Sequence, residues 1–90
     1  MVGRFQFKER AYSAWLAANP SGYVFNHFEG KDSRFNVVHR AQCAHLSRPK
    51  DEGARTVIEK ICSLSLEELE DVASMLRGGR SGWTCCGVCM

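Results

Sequence analysis

The sequence lacks any long apolar run. No stretch approaches the roughly 20 consecutive apolar residues that a helix needs to cross a bilayer. The opening segment, MVGRFQFKER, mixes charged and apolar side chains and therefore has no apolar core of a secretory signal. We therefore expect a cytoplasmic protein that makes no contact with a membrane.

The cysteines do not form an even set. The chain has 5 cysteines in 90 residues, and an odd number fits poorly with a closed framework of disulfides. A reducing cytoplasm also disfavours structural disulfides. A domain this short buries a limited core, so it often needs a further staple such as a metal ion. These facts favour metal ligation over disulfide formation.

A dense basic run is missing as well. The formal net charge is +2, with nine Lys/Arg against five Asp/Glu in residues 1–58 and three against five in residues 59–90. This balance is typical of an ordinary solvated surface and does not by itself indicate nucleic-acid binding. The composition, 44% hydrophobic and 24% charged, argues against disorder.

Two segments have the periodicity of helices. The stretch FKERAYSAWLAANP repeats apolar residues at helical spacing and ends before Pro20. The stretch SLEELEDVASML has a clear apolar stripe, and Ser65 with Glu68 forms a capping box at its start. Glycines follow it directly and predict its end. We therefore predict one helix near each end of the chain.

Three segments have the composition of strands. GYVFNHF and FNVVH predict a hairpin over residues 22–39, and ARTVIEKIC predicts a third strand. The tail RSGWTCCGVCM is too short and too rich in glycine for either a helix or a strand. We expect a single α+β domain over residues 1–90, with a small antiparallel sheet of about three strands, closed by a zinc knuckle.

Four candidate metal ligands occur in two close pairs. His39 and Cys43 are spaced H-x3-C, and Cys86 and Cys89 are spaced C-x2-C. Tetrahedral zinc requires four such nitrogen and sulfur ligands, and a short spacing lets one pair bend around one ion. The two pairs would close a loop of more than 40 residues. We therefore predict that these residues bind Zn²⁺.

Two further cysteines leave alternatives open. Cys85 could pair with Cys89 as C-x3-C, but C-x2-C through Cys86 makes the tighter knuckle, in which backbone N–H groups point at the first sulfur. Gly87 favours that turn. Cys62 is expected in the core and is the first replacement ligand if His39 does not bind. Burial of all the cysteines as small apolar residues and a redox C-x2-C pair are the competing interpretations.

The other two histidines are weaker candidates. His45 could compete with His39, which is preferred because it begins the H-x3-C pair. His27 lies in a predicted strand, where a histidine is more often a structural residue than a ligand. Trp83 is expected to pack over the site and to seat the tail on the preceding helix.

Residues 38–90 resemble the small zinc-binding module at the N-terminus of Ada-type DNA repair proteins. The resemblance rests on HRAQC, from His39 to Cys43, and on GWTCCGVC, which matches the family pattern G-aromatic-x-x-C-x-x-C. That register selects Cys86 over Cys85. The resemblance divides the chain into an Ada-like module over 38–90 and an N-terminal helix and hairpin over 1–37.

The resemblance implies a zinc ion and an association with DNA. In the family, a zinc-bound cysteine at the first position of the first pair accepts a methyl group from a DNA phosphate ester. Here that position is His39, and a zinc-bound imidazole has no thiolate to alkylate. Four protein ligands also leave no open position for catalysis. We therefore expect a protein that is not an enzyme.

Two functions follow from the sequence. The first is a structural-zinc binding module that contacts DNA or a DNA-associated protein. Its expected phosphate or partner contacts flank the first ligand pair and the following loop; they are Arg40, Arg48, Lys50 and Arg55. The alternative is a small protein-interaction or inhibitor module, bacterial or phage-encoded, that acts on a nuclease or a defence-system protein. Its basis is the aromatic set Tyr23, Phe25 and Phe28, which is large for one small core.

Overall fold

A mixed sheet organises the computed structural model, which describes residues 2–28, 30 and 32–90. Within these residues the sheet has five strands: β1 (Gly3–Phe5), β2 (Tyr23–His27), β3 (Val37–Arg40), β4 (Glu59–Ser63) and β5 (Thr84–Cys85). Their order is β1-β4-β2-β3-β5. The neighbours are antiparallel except for β3 and β5, which are parallel. The α+β class and the β2–β3 hairpin are confirmed.

The prediction of about three strands was wrong. The two additional strands, β1 and β5, contain only three and two residues, too few for an alternating pattern to be visible in the sequence. The tail was expected to hold no strand, yet β5 lies within it. The third predicted strand is also shorter than expected, because residues 54–58 form turns and bends before β4 begins at Glu59.

Both predicted helices are present as α1 (Glu9–Ala18) and α2 (Leu66–Arg77). The Ser65 hydroxyl accepts a hydrogen bond from the Glu68 N–H, and Gly78 ends α2 in the left-handed conformation with φ 77°. The first helix begins later than predicted, because Phe7 lies outside it. Neither helix in the described part of the chain has the length and apolar character of a membrane span.

The two faces of the sheet bury different side chains. The register sets Val24 opposite both Cys62 and His39, so these three side chains share one face. That face packs against α1 through Tyr12, which is fully buried. The other face packs against α2 and buries Phe25, Val38, Ile61, Leu69, Ala73 and Trp83. The helices therefore cover opposite faces of one sheet.

Trp83 fastens the segment before β5 to α2. Its side chain is 1% exposed, and its indole N–H donates to the Ser74 hydroxyl at 2.9 Å. The expected seating on the preceding helix is therefore present. Trp83 belongs to the cluster under α2, however, whereas Cys43 and Cys86 belong to the cluster on the α1 side. The tryptophan thus supports the site from the opposite face and does not cover it.

The loop between β3 and β4 is tied to the start of α1. The Glu9 carboxylate accepts hydrogen bonds from the backbone N–H groups of Gly53 and Arg55, at 2.5 and 2.6 Å. The Thr56 hydroxyl accepts from the Lys8 N–H at 2.9 Å. These contacts hold a loop that otherwise contains only short 3₁₀ turns. Its cationic side chains therefore have a defined place beside the sheet.

Candidate metal site

The end of β3 supplies the first pair of candidate ligands. His39 is the third residue of this strand and faces the α1 side, opposite Val24. The chain then turns, and the Cys43 N–H donates to the Arg40 carbonyl at 3.0 Å. This turn returns Cys43 to the same face of the sheet as His39. The end of one strand and one tight turn therefore bring the two residues of the H-x3-C pair together.

The β3–β5 pairing determines which of two adjacent cysteines joins this pair. Cys85 lies beside Val38 in the parallel register, and the Cys86 N–H donates to the Val38 carbonyl at 2.8 Å. Successive side chains alternate between the faces of a sheet. Cys85 accordingly packs with Val38 on the α2 side, while Cys86 lies on the α1 side. The structure brings Cys86 to the cluster and leaves Cys85 outside it.

The four side chains form a cluster that could hold a metal ion. One ligand atom from each of His39, Cys43, Cys86 and Cys89 lies within 4.8 Å of the others. The sulfurs of Cys43 and Cys86 are 3.9 Å apart. Two sulfurs, each about 2.3 Å from a tetrahedral zinc, are separated by about 3.8 Å, whereas a disulfide measures about 2.05 Å. The observed spacing fits ligands of one ion and excludes a bond between the two sulfurs.

Each sulfur of the cluster accepts at least one backbone N–H. Hydrogen bonds of this type stabilise thiolates, which are the form that binds metal. The donors are His45 for Cys43, Val88 and Cys89 for Cys86, and Arg40, at 3.3 Å, for Cys89. The two donors to Cys86 are those expected of a C-x2-C knuckle. The backbone around the cluster is therefore arranged for negative charge on sulfur.

The surroundings act differently on the two most buried thiols of the cluster, Cys43 and Cys86. Burial raises the pKa of Cys43, and its contacts with Cys89 and Cys86 act in the same direction. Burial also opposes the thiolate of Cys86, but the N–H groups of Val88 and Cys89, together with the thiols of Cys89 and Cys43, lower its pKa. The thiolate is therefore favoured at Cys86 and disfavoured at Cys43. Metal binding would deprotonate Cys43 by its own charge.

His39 has an unsatisfied nitrogen within the cluster. The residue is 8% exposed, and its Nδ1 atom is buried with no hydrogen-bond partner among the described residues. Burial lowers the pKa of His39 to about 4, and the nearby charges of His45, Lys60 and Arg48 add to the effect. The ring is therefore neutral at pH 7 and carries a free lone pair. A neutral imidazole beside three thiols is a donor set that suits zinc.

The alternative ligands occupy other places. Cys62 is fully buried in β4, as expected of a core residue, and is not a member of the cluster. His27 contacts the Glu59 carboxylate at 2.8 Å, which accounts for its position on the strand. His45 is the closest alternative, because its Nδ1 lies 3.8 Å from the Cys86 sulfur. His45 is not one of the four clustered residues, and it is placed to hydrogen-bond one of them, Cys86.

Replacing His45 with Phe is expected to weaken metal binding about tenfold while preserving the fold, the low end of the range for an outer hydrogen-bond partner of a ligand. The reason is the loss of the ring nitrogen beside the Cys86 sulfur, which would donate to the metal-bound thiolate. Competition with a chromophoric chelator measures the affinity. His45→Gln, which retains an N–H donor, should recover part of the loss. A complete loss of metal in His45→Phe would instead identify His45 as a direct ligand.

The predicted partner contacts fall into two groups. Arg48 and Arg55 line a cleft beside the cluster, together with His39 and His45. Arg40 turns away from it, because its guanidinium donates to the Cys89 carbonyl at 2.8 Å. Lys50 is exposed on a 3₁₀ turn and does not line the cleft. The structure therefore brings together two of the four predicted contacts.

Sequence reasoning missed three further residues of this cleft, which are Arg34, Phe35 and Lys60. Arg34 ends the predicted turn EGKDSR, and Phe35 begins the predicted strand FNVVH, so neither position signals a site in the sequence. Lys60 lies in β4, where a single lysine gives no signal in the sequence. Its side chain reaches the cleft only because β4 pairs with β2.

Comparisons with protein-family models, with curated proteins and with solved structures found no match to this chain. The resemblance to Ada-type zinc modules therefore stays a prediction.

Proposed function

We propose that this chain is a structural-zinc binding module that contacts DNA or a DNA-associated protein. The convergence of His39 and Cys43 with Cys86 and Cys89, more than 40 residues further along the chain, carries the proposal. Three sulfurs and one imidazole are soft and borderline ligands, which select zinc over magnesium or calcium. Four protein ligands complete a tetrahedron, so no position remains for a substrate or an activated water. The role of the metal is therefore structural.

The metal would contribute a large part of the stability. Structural zinc sites bind with an apparent free energy on the order of 10 kcal/mol, and this energy stabilises the folded state. A small domain has a net stability of about 5–15 kcal/mol. The described core on the α1 side is small and includes Cys43 and Cys86 themselves. Without the metal, that side of the sheet would lack its main cross-link.

Purified protein is expected to contain about one zinc per chain, and removal of the metal is expected to unfold the domain. Elemental analysis gives the stoichiometry, and circular dichroism during titration with a strong chelator follows the fold. Cobalt substitution should give the thiolate charge-transfer absorption and the ligand-field bands of a tetrahedral site. Zinc near zero per chain, together with a chelator-insensitive fold, would refute the structural-zinc proposal.

Support for a nucleic-acid partner comes from the cations beside the cluster. Arg48 and Arg55 converge on one cleft, and phosphate contacts are made chiefly by such side chains. The alternative of a protein-interaction or inhibitor module has less support. Of the aromatic residues that suggested it, Phe25 is fully buried, and Tyr23 and Phe28 are half-buried. These three rings therefore do not make an open aromatic surface.

A further inference from the structure

A cation-lined cleft lies beside the metal cluster. It has a volume of about 390 Å³, within the range of small-ligand sites. Four of its lining side chains are cationic and one is a carboxylate, Asp51. The cations are Arg34, Arg48, Arg55 and Lys60. The lining therefore has an excess of positive charge that would attract an anion.

The protein itself neutralises part of this charge. Arg34, which is exposed, is paired with Asp32 at 2.7 Å. Burial lowers the pKa of Lys60, and the charge of Asp51 acts less strongly in the opposite direction, because it favours the protonated amine. The Nε atom of Arg55 is buried and has no hydrogen-bond partner in the part of the chain that the structure describes. Lys60 donates to the side-chain oxygen of Asn26, a neutral group. Arg55 and Lys60 thus retain capacity for a bound anion.

An aromatic ring lies among these cations. Phe35 lines the same cleft and is 53% exposed. Its carbonyl accepts a hydrogen bond from the Asn26 amide at 2.9 Å, and its ring meets Phe28 edge-on at a centroid distance of 5.4 Å. These contacts hold the ring in place although much of it faces solvent. A fixed, exposed aromatic ring beside cations is the combination that binds unpaired nucleotides.

We propose that this cleft binds the phosphate and base of one unpaired nucleotide. Arg48, Arg55 and Lys60 contact the phosphate, and the base stacks on Phe35. This inference depends on the proposed contact with nucleic acid. It identifies one unpaired nucleotide as the part of the nucleic acid that enters the cleft. The same chemistry is offered by a free nucleoside monophosphate and by a nucleotide within a single strand. A base-paired duplex does not offer it, because its bases are stacked on each other.

The cluster and the cleft share two residues, His39 and His45. The first is a candidate ligand, and the second approaches the Cys86 sulfur. A bound metal would therefore fix one wall of the cleft. The loop that carries Arg55 is held by the hydrogen bonds from the N–H groups of Gly53 and Arg55 to the Glu9 carboxylate. These bonds therefore hold part of the lining in place before a ligand arrives.

The test uses zinc-loaded full-length protein and a labelled oligothymidylate of about eight nucleotides, with fluorescence anisotropy at several salt concentrations. Phe35→Ala should weaken binding about 5- to 150-fold, the range for losing one stacked base. Phe35→Tyr should bind like the parent, and Phe35→Leu should resemble Phe35→Ala. Arg48→Ala should lower the slope of log K against log salt by about 0.7, the value for one single-strand phosphate contact.

Arg10→Ala is the matched control, because Arg10 is exposed on α1 and does not line the cleft. It should leave both the affinity and the salt slope nearly unchanged. Competition separates the two sources of the ligand. Displacement by thymidine monophosphate with the same dependence on Phe35 supports a free nucleotide. Displacement only by a longer strand supports a nucleotide held within single-stranded nucleic acid.

The outcomes separate this inference from the proposed function. Duplex binding that depends on Arg48 but not on Phe35 would overturn the cleft inference and leave the contact with DNA intact. Zinc-loaded, folded protein that binds no nucleic acid at low salt would overturn both the cleft inference and direct contact with DNA. The structural-zinc role and contact with a DNA-associated protein would stand. Wild-type affinity of Phe35→Ala for the single strand would by itself refute the stacking role.

Discussion

Replacing Cys86 with Ser is expected to abolish zinc binding and to leave the domain largely unfolded. A serine oxygen replaces a thiolate whose charge two backbone N–H groups stabilise, and the tetrahedron loses one of its four ligands. The variant would lose a free energy of zinc binding on the order of 10 kcal/mol, which is comparable to the net stability of a whole small domain. Metal content and circular dichroism of the purified variant measure the two effects.

Cys85→Ser is the control, one residue away. Cys85 is half-buried on the opposite face of the sheet and packs with the cluster under α2. Its replacement should retain one zinc and cost about 1 kcal/mol or less, as for a small change in packing. Loss of zinc in Cys85→Ser, or its retention in Cys86→Ser, would contradict the ligand assignment. The pair thus tests the register of the tail rather than cysteine content.

Trp83→Ala is expected to reduce the free energy of unfolding by about 3–5 kcal/mol in zinc-loaded protein. The side chain is 1% exposed among the residues under α2, so truncation would leave a large cavity. It would also leave the Ser74 hydroxyl without its indole donor. Urea unfolding with zinc present in the buffer measures the change, because the ligands themselves remain.

Trp83→Phe separates volume from hydrogen bonding. It retains most of the ring but lacks the N–H that donates to Ser74, so it should recover more than half of the loss. Trp15→Ala is the comparison on the other helix, where the indole is half-buried and should matter less. A change below about 1 kcal/mol for Trp83→Ala would show that the segment before β5 is not fastened through this residue.

Local chemistry made several elements predictable. The second helix has a capping box at Ser65 and a left-handed glycine at its end, so both limits follow from neighbouring residues. The H-x3-C and C-x2-C pairs are likewise local, since each spacing is short enough for both ligands to reach one ion. The glycine at position 82, directly before Trp83, also has a direct steric explanation. A Cβ atom there would lie 2.3 Å from the Arg77 carbonyl oxygen.

Distant contacts determined what the sequence did not reveal. The strand β5 exists only because its two residues lie beside β3, and nothing in RSGWTCCGVCM signals that pairing. The same pairing decides the faces of Cys85 and Cys86, which spacing alone left open. The cleft arises where β4, the loop and the turn before β3 meet, and the tie from Glu9 to Gly53 and Arg55 spans more than 40 residues.

The short parallel pairing between β5 and β3 has a consequence for colloidal behaviour. Two backbone bonds hold it, from the Thr84 N–H to the Asn36 carbonyl and from the Cys86 N–H to the Val38 carbonyl. Removal of the metal is expected to unfold the domain, and partly folded chains from which β5 has detached would present the Asn36 and Val38 carbonyls as open acceptors along the edge of the sheet. Open edges recruit strands from other molecules. We therefore expect metal-free chains that retain the sheet to precipitate through edge-to-edge association, which bound zinc would prevent.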